Sequence, residues 1–286
     1  IIKRDNEMLF FLVWRNVFIY CEIKRHMDLF KKYNRVKIEK EEHLLHHPYR
    51  EYISTVYYNF DAPISNYIIP KSVIKIEFSE KFKREISPGN LIGTNVKELT
   101  LSLDGFKDCL CGIIPASVTS LELRDYNKEF EKYAIPPSVK ELFLWDYNEQ
   151  IQDENNEILP ESINTLGLGR YTHPLLELPR SITSLSISLP YNKQLPALEI
   201  PANICTLKLR EFKSPLRAND LPPTVTELDV GDHYNHPILA NSIPLSIRKI
   251  TFGLLFEQQI HINTIPPSVQ ILSFRNKKMK SLVSKN

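Results

Sequence analysis

Residues 134–151 read AIPPSVKELFLWDYNEQI, and a closely similar stretch returns along most of the chain. In nearly every copy an Ile-Pro or Leu-Pro dipeptide is followed by a variable residue, a polar residue, Val or Ile, and then by two apolar positions that alternate with other residues. Alternation over four or five residues is typical of a half-buried β-strand. The stretch therefore predicts a short strand that follows a proline turn and occurs many times.

The repeat has a period of just under 22 residues. Its ten anchor dipeptides lie 19 to 24 residues apart, and Gly93 replaces the proline in one of them. They are Ile69-Pro70, Ile92-Gly93, Ile114-Pro115, Ile135-Pro136, Leu159-Pro160, Leu178-Pro179, Ile200-Pro201, Leu221-Pro222, Ile243-Pro244 and Ile265-Pro266. A self-similar period of this length indicates a repeat architecture.

A single 22-residue unit cannot bury both faces of its strand. Units stacked in parallel satisfy the backbone groups of neighbouring strands and bury their apolar columns together. Proline, which has no N–H, suits the corner before the strand. We therefore expect a mainly β solenoid with a parallel sheet of about ten short strands and irregular return segments. A β-sandwich with turn signals is the alternative, and recurrence in one register argues against it.

An aromatic residue follows the strand in nine of the ten repeats. These residues are Phe82, Phe106, Tyr126, Tyr147, Tyr171, Tyr191, Phe212, Tyr234 and Phe256. With the anchors they give the pattern [FY]-N-x-x-[ILF]…[IL]-P-x-S-[VI]-x-x-L-x-L, which resembles FNIP repeats, a leucine-rich-repeat-like family. The segments 126–136 and 147–160 carry the resemblance most clearly.

The resemblance implies a parallel-β solenoid that serves mainly as an interaction scaffold. Residues 9–30 also resemble the helical leader of amoebal FNIP-repeat proteins. The departures from the pattern are Gly93 for Pro, and Lys83, Lys107, Thr172, Lys213 and Glu257 for Asn. Some members carry an F-box, so a substrate-recognition subunit of a ubiquitin ligase is an alternative function if an F-box lies upstream.

The chain divides into three parts in this interpretation. Residues 1–50 form an α-helical N-terminal cap region, residues 51–276 the repeat solenoid, and residues 277–286 a basic C-terminal tail. Asp5 is the expected helix N-cap. Apolar residues recur at helical spacing at Leu9, Leu12, Val13, Val17, Tyr20 and Ile23. A partner-binding helix and a membrane-surface helix are alternatives to a cap.

Composition excludes several classes of partner. The 36 basic and 34 acidic side chains leave no strong field for nucleic acid or anionic lipid. The apolar run at residues 8–14 is far shorter than the ~20 residues of a membrane span. Four cysteines do not form a disulfide framework in a chain of this length. We expect a cytoplasmic monomer with a protein partner and no nucleic acid.

The outward-pointing positions of the predicted strands suggest a binding site. Phe143 and Trp145 stand side by side. They are followed in the next two repeats by a shallow trough of small residues, namely Gly167, Gly169, Ser186 and Ser188. Lys208 and Arg210 occupy the outward positions of the repeat after the trough, and Arg124 lies in the repeat before Phe143. Trp, Tyr and Arg dominate protein-binding hot spots. We predict that these five residues bind a partner; cover by a helix or a return loop is the alternative.

Candidates for chemistry are weak, and no catalytic, cofactor-binding or metal-binding residue is predicted. Cys109 and Cys111 lack a matching Cys/His pair nearby. His43, His46 and His47 fit a charged helix face, and Glu41-Glu42 and Asp153-Glu154 are surface acids. The sequence favours a non-enzymatic protein-interaction scaffold. A solenoid hydrolase is the remaining alternative, and it would require carboxylates such as Glu77 and Glu122 to converge on the exposed sheet.

Overall fold

The fold is described from a computed structural model. It covers residues 12, 16–65, 68–84, 86–87, 89–91, 93–103, 110–151, 158–175, 178–188, 200–261 and 263–279. Near the N-terminus lie helix α1 (Val17–Tyr33), a short helix α2 (Glu42–Leu45) and a 3-10 turn (Arg50–Tyr52).

One parallel sheet of twelve strands, paired in chain order, makes up the rest of the described fold. The strands are β1 (Arg35–Ile38), β2 (Thr55–Tyr58), β3 (Lys75–Phe78), β4 (Glu98–Ser102), β5 (Ser120–Arg124), β6 (Glu141–Leu144), β7 (Thr165–Leu168), β8 (Ser184–Ser188), β9 (Thr206–Arg210), β10 (Glu227–Asp229), β11 (Lys249–Phe252) and β12 (Ile271–Phe274). The predicted parallel solenoid is confirmed. The sheet has two strands more than expected, because β1 and β2 precede the first anchor dipeptide. Strand β1 lies within the stretch predicted to be a helical cap region.

The proline motif forms the same turn in nine repeats. The proline carbonyl accepts a hydrogen bond of 3.0–3.2 Å from the N–H of the Val or Ile three residues later, as from Val139 to Pro136. The next two N–H groups, those of Lys140 and Glu141, both donate to the Thr119 carbonyl of the preceding repeat, at 2.8 and 3.0 Å. The motif therefore turns the chain and attaches it to the preceding unit before the strand begins.

The core consists of columns of equivalent side chains. In the register Leu121 lies beside Leu142 and Leu142 beside Leu166, and all three are fully buried. The aromatic residues form a further column: the Phe212 and Tyr234 rings are 5.8 Å apart and inclined by only 8°. Phe106 and Tyr191 lie outside the described residues. Burial of such rings and Leu side chains supplies the main driving force for stacking.

The Asn that follows the aromatic residue links successive return segments. The side-chain oxygen of Asn127 accepts from the N–H of Asn148 at 2.6 Å. Asn148 accepts in turn from the N–H of Thr172 at 2.8 Å, and Asn235 from that of Glu257 at 3.0 Å. Because a return segment has no sheet partner, these side-chain bonds connect the backbone of each return segment to that of the preceding repeat.

Helix α1 begins at Val17. Asn16 caps it, with its side-chain oxygen accepting from the N–H groups of Phe18 and Ile19 at 3.1 and 3.2 Å; Asp5 lies outside the described residues. No residue of α1 is buried, so the part of the predicted apolar stripe that lies in it, at Val17, Tyr20 and Ile23, is not packed into the core. The helix contacts the 3-10 turn region instead, where Tyr33 stacks on Tyr49 at 4.5 Å. No helix in the described ranges has the length and apolar character that crossing a bilayer requires.

Burial of the aromatic column should make the fold sensitive to alkali. Burial raises the pKa of Tyr234 to about 12, above the ~10 of an exposed tyrosine. The stabilisation from the neutral phenol is therefore complete below pH ~10 and is lost as pH rises through the folded-state value. We expect the free energy of unfolding of the wild type, measured in urea, to fall by about 2 kcal/mol relative to that of Tyr234→Phe across this pH window. A constant difference between the two proteins over that pH range would contradict the expectation.

Candidate functional site

The outward-pointing side chains of β3 to β12 form a surface that we call the strand face. The predicted alternation is observed on β5, where Leu121 and Leu123 are buried and Glu122 and Arg124 are half-buried on the outer side. Parallel pairing in register places equivalent outward residues of neighbouring strands about 4.8 Å apart. Side chains on the strand face can therefore contact one another across several repeats.

Two carboxylates of the strand face hold Arg124. Its Nη1 lies 3.3 Å from Glu77 Oε1, two strands away, and its Nε donates to Glu122 Oε1 at 2.9 Å. Burial lowers the pKa of the Arg124 guanidinium, but the hydrogen bonds and charges of Glu122 and Glu77 outweigh it, so the pKa lies above its ordinary value. The predicted partner-binding residue Arg124 thus has its charge compensated within the chain.

Glu122 also fixes the orientation of Trp145. The indole Nε1–H donates to Glu122 Oε1 at 2.9 Å, and the Phe143 and Trp145 rings stack with centroids 5.7 Å apart. A Cβ added to Gly167 would lie 2.5 Å from Phe143 Cδ1, so the phenyl ring rests directly on this glycine. Trp145 is held in place by polar and aromatic contacts rather than projecting freely into solvent.

Side chains from the strands on either side meet above the trough of small residues. The Arg210 guanidinium carbon lies 4.3 Å from the centroid of the Trp145 ring, within range of a cation–π contact. These residues belong to positions three strands apart, roughly 14 Å, so their side chains meet above the small residues of β7 and β8. Phe143 and Trp145 are half-buried, and the contacts named here come from the strand face itself.

A groove of about 1420 Å³ runs along this part of the strand face. Residues of β6 to β10 and of the segments that follow these strands line it, together with Asn127 after β5 and Arg275 after β12. Arg275 reaches back two repeats to form ion pairs with Asp229 and with Asp232, the latter at 3.1 Å. Lys208 lies in the groove with its side chain exposed. The groove therefore contains aromatic, cationic and anionic groups on one continuous surface.

Comparison with known proteins agrees with the repeat pattern. The family model described as the FNIP repeat matches residues 109–147, 191–233 and 234–277. The chain carries FNIP repeats. A FNIP repeat-containing protein of Dictyostelium discoideum is 34% identical over 109 residues. That match covers 33% of this chain and 21% of the relative, so it spans about a fifth of that protein's length.

A solved structure gives a distant comparison for the FNIP-repeat solenoid. CroV588, described as a novel circular LRR protein, has 20% sequence identity and a TM-score of 0.47. The match covers 84% of this chain and 42% of CroV588. The architecture of the FNIP repeats is therefore assigned from the strand register and hydrogen bonds described above, and not from this comparison.

The carboxylates of the FNIP-repeat strand face converge on a cation. Glu77 and Glu122 do come together, but the guanidinium of Arg124 joins them. Their geometry is that of an ion pair rather than of two carboxyl groups poised to exchange a proton in an apolar pocket.

The other candidates for chemistry remain apart. His47 Nδ1 accepts from the N–H of Tyr49 at 3.2 Å, and Cys111 Sγ lies 3.4 Å from Glu131 Oε2. Cys109, Asp153 and Glu154 lie outside the described residues. Within the described ranges no three His, Cys, Asp or Glu side chains are grouped so that they could hold a metal ion.

Sequence reasoning missed one outward row of the FNIP repeats. The first residue of each strand also points outward, and opposite charges meet there between adjacent repeats. Lys75 pairs with Glu98 at 3.1 Å, and Lys249 with Glu227 at 3.1 Å. Aligning the repeats on this position would have shown the opposite charges side by side. Exposed pairs of this kind contribute little stability each, so they bear mainly on register and solubility.

Proposed function

We propose that this FNIP-repeat solenoid is a non-enzymatic protein-interaction scaffold that binds a partner protein on its strand face. The groove supports the proposal, because its volume of about 1420 Å³ exceeds the ~300–1,000 Å³ of ordinary small-molecule pockets. It presents the half-buried rings of Phe143 and Trp145 beside Lys208 and Arg210, and aromatic and Arg side chains dominate binding hot spots. The cytoplasmic location, the monomeric state and the ubiquitin-ligase alternative stay predictions.

Removing the aromatic pair should abolish partner binding. We expect affinity capture with the wild-type chain to recover a specific set of proteins that the Phe143→Ser/Trp145→Ser variant loses. The reason is that truncating a central hot spot costs ~2 kcal/mol or more, at least a tenfold loss of affinity. Quantitative mass spectrometry of the captured proteins is the measurement, and far-UV circular dichroism shows that the variant is folded.

Tyr133→Ser is the matched control. Tyr133 is an aromatic residue that is 75% exposed, and it does not line the groove. Its removal should leave capture unchanged. If the folded double variant retains every partner of the wild type, the aromatic pair is not the binding site and the proposal fails.

A further inference from the structure

Two cations of the groove have no ionic partner within the described part of the chain. Arg170 and Arg275, which also line the groove, are each paired with a carboxylate. Lys208 and Arg210 are exposed, and neither forms an ion pair with a described carboxylate. Both point outward from β9, separated by one residue. The uncompensated positive charge of the groove is therefore concentrated on this strand.

The contact of Arg210 with Trp145 leaves hydrogen-bonding groups of the guanidinium available. The guanidinium carbon lies 4.3 Å from the centroid of the Trp145 ring, and a cation–π contact of this kind provides no oxygen acceptor for the N–H groups. The five N–H donors of an arginine lie in the plane of the guanidinium. Arg210 makes no hydrogen bond through them to a described residue. An arginine held in this way is suited to two parallel hydrogen bonds with a carboxylate.

Serine hydroxyls extend this donor set. In the register Ser186 lies beside Lys208 and Ser188 beside Arg210. Neither hydroxyl is hydrogen-bonded to another residue of the described chain. An anion placed at Lys208 and Arg210 would therefore find hydroxyl donors as well as two positive charges.

We propose that the groove binds a linear acidic segment of the partner protein. In this complex an Asp or Glu side chain of the segment lies at Lys208 and Arg210, and an apolar side chain packs on Phe143 and Trp145. This inference rests on the proposed function and specifies its ligand. Phe143 and Lys208 occupy the same lateral row three strands apart, roughly 14 Å. An extended peptide crosses that distance in about four residues.

The surrounding charges favour a carboxylate over a phosphate. Glu211 follows Arg210 in the chain, and Asp229, which is paired with Arg275, lies beside Lys208 in the register. Like charges placed side by side weaken an interface. A singly charged side chain is attracted by the two cations with less repulsion from these acids than a dianionic phosphoryl group would meet.

Selection of peptides tests the assignment. Random linear peptides displayed on phage are selected on the immobilised full chain and on the Lys208→Glu/Arg210→Glu variant. We expect the wild type to enrich sequences with Asp or Glu about four residues from an apolar residue, as the strand spacing requires. The charge-reversed variant should instead enrich Lys or Arg. Synthetic copies of the peptides selected on the wild type should bind the charge-reversed variant with an affinity lower by roughly tenfold or more. Their binding to the wild type should weaken strongly as the salt concentration rises.

Two variants separate this effect from unfolding and from net charge. Lys208→Glu alone leaves the contact between Arg210 and Trp145 in place and should weaken the same peptides severalfold. Lys140→Glu/Arg180→Glu makes the same change in net charge at exposed residues outside the groove, and it should bind as the wild type does. Equal weakening by this control would overturn the proposal, because binding would then follow net charge alone.

Two other results would contradict the proposal of an acidic ligand while leaving the scaffold function intact. In the first, the selected peptides compete for the groove but show no preference for Asp or Glu. In the second, no peptide is selected, although capture of partner proteins still depends on Phe143 and Trp145. A synthetic peptide that binds more tightly after its acidic residue is replaced by phosphoserine would identify a phosphopeptide as the ligand. The proposed scaffold function is tested separately, by the capture experiment with the Phe143→Ser/Trp145→Ser variant.

Discussion

Gly231→Ala should be among the most destabilising single substitutions in this solenoid, lowering the free energy of unfolding by about 4 kcal/mol or more. Gly231 has a φ of +79°, and a Cβ at this position would lie 1.9 Å from the carbonyl oxygen of Leu209 in the preceding repeat. Because that oxygen belongs to the backbone of a paired strand, relief would require the two repeats to separate. The strain therefore acts directly on the stacking that stabilises the fold.

Gly93→Ala is the matched control for this substitution. Gly93 has almost the same φ, +78°, but an added Cβ would meet no atom within 4 Å. Its expected cost is only the roughly 1–2 kcal/mol of a left-handed conformation for a residue with a side chain. Urea unfolding of the three proteins, followed by far-UV circular dichroism, measures the difference. Equal losses for the two variants would show that the close approach at Leu209 carries no energetic weight.

Leu142→Ala should cost ~2–5 kcal/mol, the range for removing a fully buried leucine from a packed core. Leu142 is fully buried in the middle of the solenoid, between the equivalent leucines of β5 and β7. Truncation would leave a cavity that interrupts the column, so both neighbouring repeats lose packing. The same unfolding measurement reports the loss.

Glu141→Ala, one position earlier, provides the comparison. The Glu141 side chain is exposed on the outer side of β6, and its removal should change stability by no more than about 0.5 kcal/mol. Side chains in a strand alternate between the two faces of the sheet. If the two variants unfold at the same urea concentration, the assignment of inward and outward positions is wrong.

The strand register could be read from the sequence because it depends on local patterns. The turn after each Pro, the buried Val or Ile, and the alternating leucines each involve residues a few positions apart. Because the pattern repeats with a nearly constant period, the repeats can be aligned with one another, and this alignment predicts parallel strands stacked in register. Strands β1 and β2 were missed because their segments, RVKI and TVYY, follow no Ile-Pro anchor. Helix α1 was expected to pack its apolar stripe, but its described residues are not buried.

The surface was only partly predictable. Alignment of the repeats brought Phe143, Trp145, Lys208 and Arg210 to one face, and the structure places all four along the groove. Whether the trough between them is open could not be read from residue types. That depends on the side-chain rotamers of Trp145 and Arg210, which meet over three strands.

Repetition in the amino-acid order alone was enough to establish the coil of parallel strands, since each unit repeats the same short-range pattern and units of equal period stack in register. The contacts that join Glu77 to Arg124, Trp145 to Arg210 and Asp229 to Arg275 emerged only in three dimensions. Each spans two or three repeats. Such pairs form because stacking brings side chains that are 46 to 65 positions apart in the sequence within reach of one another, and no local pattern encodes which of them will meet.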